Sequence, residues 1–494
     1  MTKLLSENKQ GVTRVSLGRS VIKKTILFVL IFLSCSTSYQ KKIAKTESFY
    51  FEQNFDKAVP EIRTLAKDAK DKDRLLYLME AGVIFHSKGD YTTSMQIFKE
   101  AEIISDTIKT SISNQSYAFL LNDTKGFFQG ESFERVMIKF YIALNNIMLG
   151  NLEDAKRAFR KLNADLKEMK FMEDKYRQNL MARYLDAIIS EHLGKYNDAR
   201  VEYKNIIQLN SSHKSILGDR YVLALKENDT EDINQYQDKQ NLVHAYDKDL
   251  KKTIYKKGMG EVIIINQAGK AATKESRGRL MNDPMFAVPL RAAIETSLRA
   301  NTSNLSLPGV LAMLSAAENP IPVYKTRDAQ ANKAIDIYIN GNKTTQTELY
   351  NDYSETAIKN FNDNYEKIIA KNVASIATKV VAAAIAASAA GQSVKIKSNN
   401  RRGERESGND LISSIISFLA GLTAGAGVSA TIEPDLRCWR LIPSNFQVSR
   451  IFLEPGTYNF DFKPANGNKI KIPEEYKQVK VEADKPVFIN FRTM

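Results

Sequence analysis

The chain has 494 residues, of which 26% are charged and 43% hydrophobic, and its net charge is +14. Its two cysteines, Cys35 and Cys438, exclude a disulfide framework and a zinc site built from paired cysteines. The positive charge suits an anionic neighbour such as phospholipid head groups or acidic wall polymers, or it belongs to a solvated lysine-rich surface.

The first 34 residues have the layout of an export signal. Six basic residues precede an apolar core from Ile26 to Leu33, and small residues follow. A membrane-spanning helix needs about 20 apolar residues, so this core is too short to be a stable anchor. A buried helix of a cytosolic protein is the alternative interpretation.

The end of this segment, Phe32-Leu33-Ser34-Cys35, resembles a bacterial lipobox. It predicts removal of residues 1–34 and lipidation of Cys35, and plain cleavage is the alternative. Ser36 favours sorting to the outer membrane of a Gram-negative envelope. The mature chain would keep 460 residues and a net charge of about +9, because the removed part carries six Lys/Arg and one Glu.

Residues 35–235 are predicted to form a helical domain with three copies of a tetratricopeptide-like repeat. The small and aromatic packing positions are Gly82, Phe85, Gly89, Tyr91, Ser94, Phe98 and Ala101, then Ala143, Gly150, Ala155 and Phe159, then Ala187, Gly194, Tyr196, Ala199 and Tyr203. Such helix pairs must stack to bury their apolar faces, and the concave surface of the stack usually holds a peptide or partner helix. A plain helical bundle is the alternative.

Residues 236–349 are predicted to form a charged linker followed by a small α+β region. One strand covers the β-branched run from Val262 to Ile265, and another ends at the Asn340-Gly341 turn.

Residues 350–432 are predicted to be helical and rich in Ala and Gly. The stretch 411–432 has no charged residue and contains Gly421 and Gly425, a spacing that permits close helix contact. The stretch is long enough to span a membrane. We therefore expect this stretch to be one helix of a tightly packed pair or, alternatively, part of a hairpin inserted in the membrane.

Residues 433–494 are predicted to form an antiparallel β module, in which FQVSRIFL and YNFDF make a hairpin and two further strands follow. The predicted fold class is thus mainly α with α+β portions. It consists of a repeat stack, a small mixed region, a small-residue helix pair and a C-terminal β module.

Catalytic motifs are missing from the sequence. The four histidines, His86, His192, His213 and His244, have no metal-ligand spacing, and His86 and His192 lie on repeat helices where a structural role is expected. No phosphate-binding loop, nucleophile elbow or distinctive pair of carboxylates occurs. We therefore predict no enzymatic reaction, no cofactor, no metal and no nucleic-acid partner.

Three segments resemble a family of uncharacterised exported bacterial proteins, many of them predicted lipoproteins with tetratricopeptide-like repeats. One segment matches a Gly-Glu-x-[Phe/Tyr]-Glu-Arg motif at Gly130, Glu131, Phe133, Glu134 and Arg135. A second, RYLDAIISEHLGKYNDARVEY, lies in the third repeat. The last matches an Asp-x-Arg-x-Trp motif at Asp435, Arg437 and Trp439. Some relatives are encoded near lipoprotein activators of peptidoglycan synthases, which implies a link to cell-wall assembly.

Both motifs have a structural interpretation and a binding interpretation. Glu131, Glu134 and Arg135 can cap and pair at a helix start. Trp439 can fill the junction between the small-residue helices and the tail, with Arg437 stacked or paired to Asp435. Alternatively it can anchor a partner, because Trp and Arg dominate interface hot spots.

The leading hypothesis is a periplasm-facing lipoprotein of the bacterial envelope that acts as a scaffold or adaptor for envelope proteins, including peptidoglycan synthesis machinery, through its repeats. The second hypothesis is an oligomeric assembly component that inserts residues 411–432 into the membrane. The third is a wall hydrolase.

Overall fold

The computed structural model describes residues 39–114, 126–168, 179–210, 212–301, 307–328, 333–399, 432–464 and 474–494. The predictions that concern the export signal, Cys35, Gly421 and Gly425 lie outside these residues.

The N-terminal half consists of paired helices, as predicted. They are α1 Tyr39–Phe51, α2 Phe55–Asp68, α3 Arg74–Ser87, α4 Tyr91–Asn114, α5 Ser132–Met148, α6 Leu152–Glu168, α7 Leu180–His192, α8 Tyr196–Leu209, α9 Ser215–Glu227 and α10 Thr230–Tyr236. The three predicted repeats correspond to α3–α4, α5–α6 and α7–α8, which confirms the tetratricopeptide-like stack.

Small residues let the two helices of a repeat approach closely. Gly89, Gly150 and Gly194 follow the first helices with φ of +88°, +77° and +67°, the left-handed conformation that ends a helix. Gly82 faces Phe98, and a methyl group at position 82 would overlap the Phe98 ring. The repeat signature is therefore a packing requirement.

Thirteen strands follow in the described residues. They are β1 Ala245–Tyr246, β2 Lys252–Thr253, β3 Gly260–Ala268, β4 Thr273–Glu275, β5 Val323–Lys325, β6 Ile335–Ile339, β7 Asn342–Gln346, β8 Glu348–Asp352, β9 Asn445–Leu453, β10 Gly456–Tyr458, β11 Phe460–Pro464, β12 Val479–Val481 and β13 Pro486–Thr493. Asn340 and Gly341 both have positive φ and join β6 to β7, which confirms the predicted hairpin turn.

A central sheet has the strand order β13-β3-β9-β1-β2, with β8 also paired to β9. β3 and β9 are antiparallel over nine residue pairs, whereas β13 runs parallel to β3. In sequence, β9 therefore lies about 180 residues after its partner β3, and β13 lies 225 residues after it.

The predicted hairpin between residues 446–453 and 458–462 is wrong. Although strands occur at both places, β9 pairs with β3, and β11 pairs with β6. All nine residues of β9 are buried, so this strand lies inside a sheet with partners on both edges. A hairpin partner would pair with only one edge of β9 and would leave the other edge without a partner.

The central sheet separates two layers. On one side it packs against α3, α5, α7 and α9, whose common surface we call the first-helix face. Contacts across this boundary include Phe140 with Phe446, at 4.9 Å between ring centres, and Tyr184 with Tyr350, at 4.5 Å. The expected partner-binding groove on this face is thus covered by the chain's own sheet.

The opposite side of the sheet faces β6, β11 and β12. Val262 and Ile264 of β3 belong to this second core, together with Ile337 and Phe460. Burial on both sides explains why residues 262–265 of β3 form an uninterrupted apolar run, and not an alternating one.

The remaining helices are α11 Pro284–Asn301, α12 Leu307–Ala312, α13 Tyr353–Asp363 and α14 Tyr365–Asn399, and short 3-10 helices lie at Asp71–Asp73, Gln237–Leu242, Leu280–Asn282 and Glu474–Lys477. α14 packs against α11. Within the described residues, Ile368–Ala386 of α14 is long and apolar enough to cross a membrane, and 44% of it is buried in the protein.

Gly82→Ala should lower the free energy of unfolding by about 1–3 kcal/mol, because the added methyl group overfills the contact with Phe98. In an ordinary helix interior the same change would stabilise by roughly 0.5–1 kcal/mol. Urea unfolding measures the difference. Phe98→Leu should partly restore the Gly82→Ala variant; strictly additive losses would contradict the proposed contact.

Candidate functional site

The two predicted motifs meet on the first-helix face, although they lie about 300 residues apart in the sequence. Glu134, in the first turn of α5, accepts hydrogen bonds from the backbone N–H of Trp439 at 2.8 Å and of Glu131 at 2.7 Å. One buried carboxylate therefore both caps its own helix and holds the tail segment.

The rest of the first motif shapes the entry into α5. Gly130 has φ of +66°, and Arg135 donates to the carbonyl oxygens of Gln129 and Gly130. Phe133 packs edge-on against Tyr353, with ring centres 5.5 Å apart. These contacts make the motif part of the framework on which the tail lies.

Arg437 joins the tail to the start of the repeats. It donates to both carboxylate oxygens of Asp435, at 2.9 and 2.8 Å, to Asp73 at 2.7 Å and to the carbonyl oxygen of Gly126 at 3.1 Å. The predicted Arg437–Asp435 pair is present. The second carboxylate that Arg437 contacts belongs to Asp73, which precedes α3. Nothing in the sequence indicated this contact.

Trp439 is fully buried, and it packs against aromatic side chains of the repeats. Its ring lies 5.9 Å from that of Phe98 and 5.8 Å from that of Tyr141. Both rings belong to the helices that flank the first repeat junction, so Trp439 fills the space between α4 and α5. As folded here, Trp439 presents no surface to an external partner.

Sequence reasoning missed Glu80, which is 0% exposed. Its two carboxylate oxygens accept the backbone N–H groups of Arg440, at 2.7 Å, and of Leu441, at 3.0 Å. The available signal was a single acidic residue inside the apolar run LLYLMEAGV. Buried carboxylates are rare unless they are paired or hydrogen-bonded, so such a residue marks a specific contact.

Burial dominates the titration of this site. It raises the pKa of Glu134 to about 7, and nearby Glu131 adds to the rise while Lys274 opposes it. Burial also raises the pKa of the Cys438 thiol to about 12. A thiol with such a pKa is a poor nucleophile.

A second cluster fixes the sheet to the third repeat. Arg450 of β9 donates to Glu191 at 2.9 Å, to Glu261 at 2.7 Å and to Asp219 at 3.2 Å. Although burial alone would raise it, Arg450 and Lys226 hold the pKa of Glu191 down at about 2. These ion pairs align α7, α9, β3 and β9.

A cavity of about 30 Å³ lies beside this cluster, which is room for about one water molecule. Its lining includes Tyr184, Ser215, Asp219, His244, Glu348 and Arg450. Burial raises the pKa of Asp219 to about 6.

The histidines take structural positions. His86 donates from Nδ1 to Asn145 at 2.6 Å, while its Nε2 accepts from Gln267 at 2.8 Å and Asn490 at 3.0 Å. Burial lowers the pKa of His86 to about 4, so the ring is neutral at physiological pH. Within the described residues, no group of three or more His, Cys, Asp or Glu side chains could hold a metal ion.

No family model and no curated protein matches the chain. The solved structures similar to it include MamA, with 12% identity over 40% of this chain and 87% of that chain and a TM-score of 0.30. Apo RapI has 15% identity over 41% and 68%, with a TM-score of 0.31. A Rap protein complexed with competence and sporulation factor has 14% identity over 45% and 57%, with a TM-score of 0.28. The repeat assignment accordingly depends on the chain's own helix pairs.

Replacing Glu134 with Gln should remove a pH dependence of stability. The carboxyl group protonates more readily in the folded chain, with pKa about 7, than at its usual value of 4.5. Relative to the variant, the wild type should thus gain up to about 3 kcal/mol of unfolding free energy as the pH falls from 7 to 4.5. Urea titrations at several pH values measure this difference, and a flat difference would contradict the assignment.

His86→Gln should give the opposite slope. The pKa of His86 falls from 6.5 to about 4 on folding, so the unfolded chain binds the proton more readily. Between pH 6.5 and 4 the wild type should lose up to about 3 kcal/mol relative to this variant. The same titrations test it, and slopes of equal sign in the two variants would refute one assignment.

Proposed function

We propose that the chain is a protein-interaction scaffold that is tethered to the bacterial envelope by lipid at Cys35. The observation that carries the proposal is the division of the repeat stack into two faces. The first-helix face is filled by the chain's own sheet, whereas α4, α6 and α8 keep one side in solvent, which we call the outer face. The proposal assigns no reaction to the chain.

Ion pairs connect successive repeats along the outer face. Lys161 of α6 pairs with Glu102 of α4 at 3.4 Å, and Arg160 of α6 pairs with Asp198 of α8 at 3.3 Å. Exposed pairs of this kind add little stability, and they leave charged groups of both signs on the outer face.

Two large apolar side chains are exposed on this face. Ile103 of α4 is 69% exposed and Val201 of α8 is 55% exposed. We propose that they contact an envelope protein, with the machinery of peptidoglycan synthesis as the first partner to test.

A second candidate function is membrane insertion as part of an oligomeric assembly. The observation that favours it is the segment Ile368–Ala386, which has the length and composition of a membrane span. Part of this segment is buried where α14 packs against α11, which favours a helix packed within the protein over a membrane span. The glycine-containing stretch 411–432, from which this alternative was predicted, lies outside the described residues except for Ile432.

Cells that make wild type or Cys35→Ser should differ in where the protein fractionates. If lipid is the anchor, we expect wild type in the membrane fraction and the variant in the soluble fraction. Mass spectrometry of the N-terminal peptide identifies the acyl chains. A Cys35→Ser protein that resists alkaline extraction would favour the inserted assembly over the tethered scaffold.

Ile103→Glu combined with Val201→Glu should weaken capture of the partner by roughly tenfold or more, because two buried charges oppose association. Cross-linking and affinity capture from solubilised envelopes measure the loss. Ile254→Glu is the matched control, because Ile254 is 52% exposed but lies outside the repeats. Equal capture by all three proteins would overturn the outer-face assignment.

A further inference from the structure

Residues 247–257, which we call the lysine loop, lie at one end of the central sheet. β2 is the last strand of this sheet and pairs with β1, so its other edge has no partner strand among the described residues. The loop contains five lysines and two aspartates, which give it a net charge of +3 (five minus two). Since the mature chain would carry about +9, about a third of its excess positive charge lies in this loop.

The acidic groups around the loop mostly hold its backbone. Asp247 accepts the backbone N–H groups of Asp249 and Lys251 on one carboxylate oxygen, both at 3.0 Å. Asp484 accepts the backbone N–H of Gly258 at 3.2 Å. These hydrogen bonds fix the turn between β1 and β2 and the end of the loop. Asp249 is the one exposed acidic residue of the loop.

The lysines of the loop point outward. All five are exposed to solvent. Lys252 donates to the carbonyl oxygen of Asn241 at 2.8 Å, and the other four form no ion pair within the described residues. The loop therefore presents a group of ammonium charges whose carboxylate neighbours are few, on a backbone that is held in one conformation.

An isoleucine lies among these charges. Exposure alternates from Lys252 to Lys256: both lysines and Ile254 are exposed, whereas Tyr255 is buried against Phe452, with ring centres 4.8 Å apart. Successive side chains of an extended segment point to opposite sides. Ile254, which is 52% exposed, thus lies between two lysines on the outward side.

Lysines on the edge strand of a sheet commonly prevent pairing with the edge of another sheet. This role accounts for the charges of the lysine loop, but it does not account for Ile254, because an exposed isoleucine favours such pairing. An apolar side chain between lysines suits the surface of a bilayer. There the apolar group enters the headgroup region while the ammonium groups reach the phosphates.

We propose that the lysine loop contacts a bilayer surface that contains anionic phospholipid. The ammonium groups pair with headgroup phosphates, and Ile254 enters the headgroup region. Each lysine held near an anionic surface adds to the attraction. The contact is separate from lipid at Cys35 and from the outer face. It goes beyond the scaffold function, because it fixes which side of the protein faces the membrane.

The test uses the mature chain from residue 35 with Cys35→Ser, so that neither the export signal nor a lipid contributes to binding. This parent protein contains every residue that the structure describes. It is sedimented with vesicles of phosphatidylcholine, alone or with about 30% phosphatidylglycerol. We expect binding to the anionic vesicles only, and its loss in about 0.5 M NaCl, because salt screens the charges. Equal binding to both kinds of vesicle, or to neither, would overturn the proposal.

Neutralising the loop should weaken binding to the anionic vesicles by about tenfold or more, because three of its ammonium groups are lost. The loop variant carries Lys251→Gln, Lys256→Gln and Lys257→Gln. The matched control loses the same charge at exposed lysines of the repeat helices, and it should bind like the parent. It carries Lys67→Gln, Lys99→Gln and Lys204→Gln. Equal weakening in the two variants would mean that binding follows total charge, and would refute the assignment to the loop.

Ile254→Asn separates a bilayer from other anionic ligands. It should weaken binding to the anionic vesicles by roughly threefold or more, because the apolar contact is lost while every charge remains. If this variant binds as tightly as the parent and the loop variant does not, the loop attracts anions without entering a bilayer. An acidic protein or wall polymer would then be its ligand, and the proposal would be wrong.

All these substitutions are at exposed positions, and circular dichroism with thermal melting checks that each variant is folded. Capture by the outer face is measured in solubilised envelopes, where no bilayer is present. Ile254→Glu therefore remains the control of that experiment, and either proposal can fail alone.

Discussion

The packing of the central sheet on the first helices of the repeats is the contact on which the other features depend. In α3 every residue from Leu75 to His86 is buried, and in α7 every residue from Met181 to Glu191 is buried. A helix buried on all sides needs cover on two faces, and the second helices provide only one. The sheet provides the other, so repeats and strands form one folding unit, and neither can be removed without exposing apolar surface.

The contact between the central sheet and the first helices includes charged groups at several points. These groups determine how the sheet is aligned on the helices more than they determine stability. Desolvation of Arg450, Glu191 and Glu261 costs several kcal/mol for each ion, and their mutual attraction at best offsets that cost. A slip of one residue between β9 and the helices would leave these charges unpaired in the interior, which is far more costly. The ion cluster therefore selects one register for the sheet among several that apolar packing alone would permit.

The sequence predicted local structure well, because local structure has local causes. The repeats follow from glycines and aromatics at fixed spacing, and the β6–β7 turn follows from Asn340-Gly341. The pairing of β9 with β3 and of β13 with β3 could not be predicted. The hydrophobic pattern of a strand indicates that the strand is buried, but it does not indicate which strand lies beside it. The mistaken tail hairpin arose from the assumption that consecutive strands pair.

The candidate site shows the same limit. The Arg437–Asp435 pair lies within three residues and was predicted, and the two motifs were identified separately. Their meeting at Glu134 was not predicted, nor was the role of Glu80, because both require knowledge of which helix the tail crosses. An isolated acidic residue in an apolar helix indicates that a donor lies opposite, and only the folded chain shows that the donors are backbone N–H groups of residues 440 and 441.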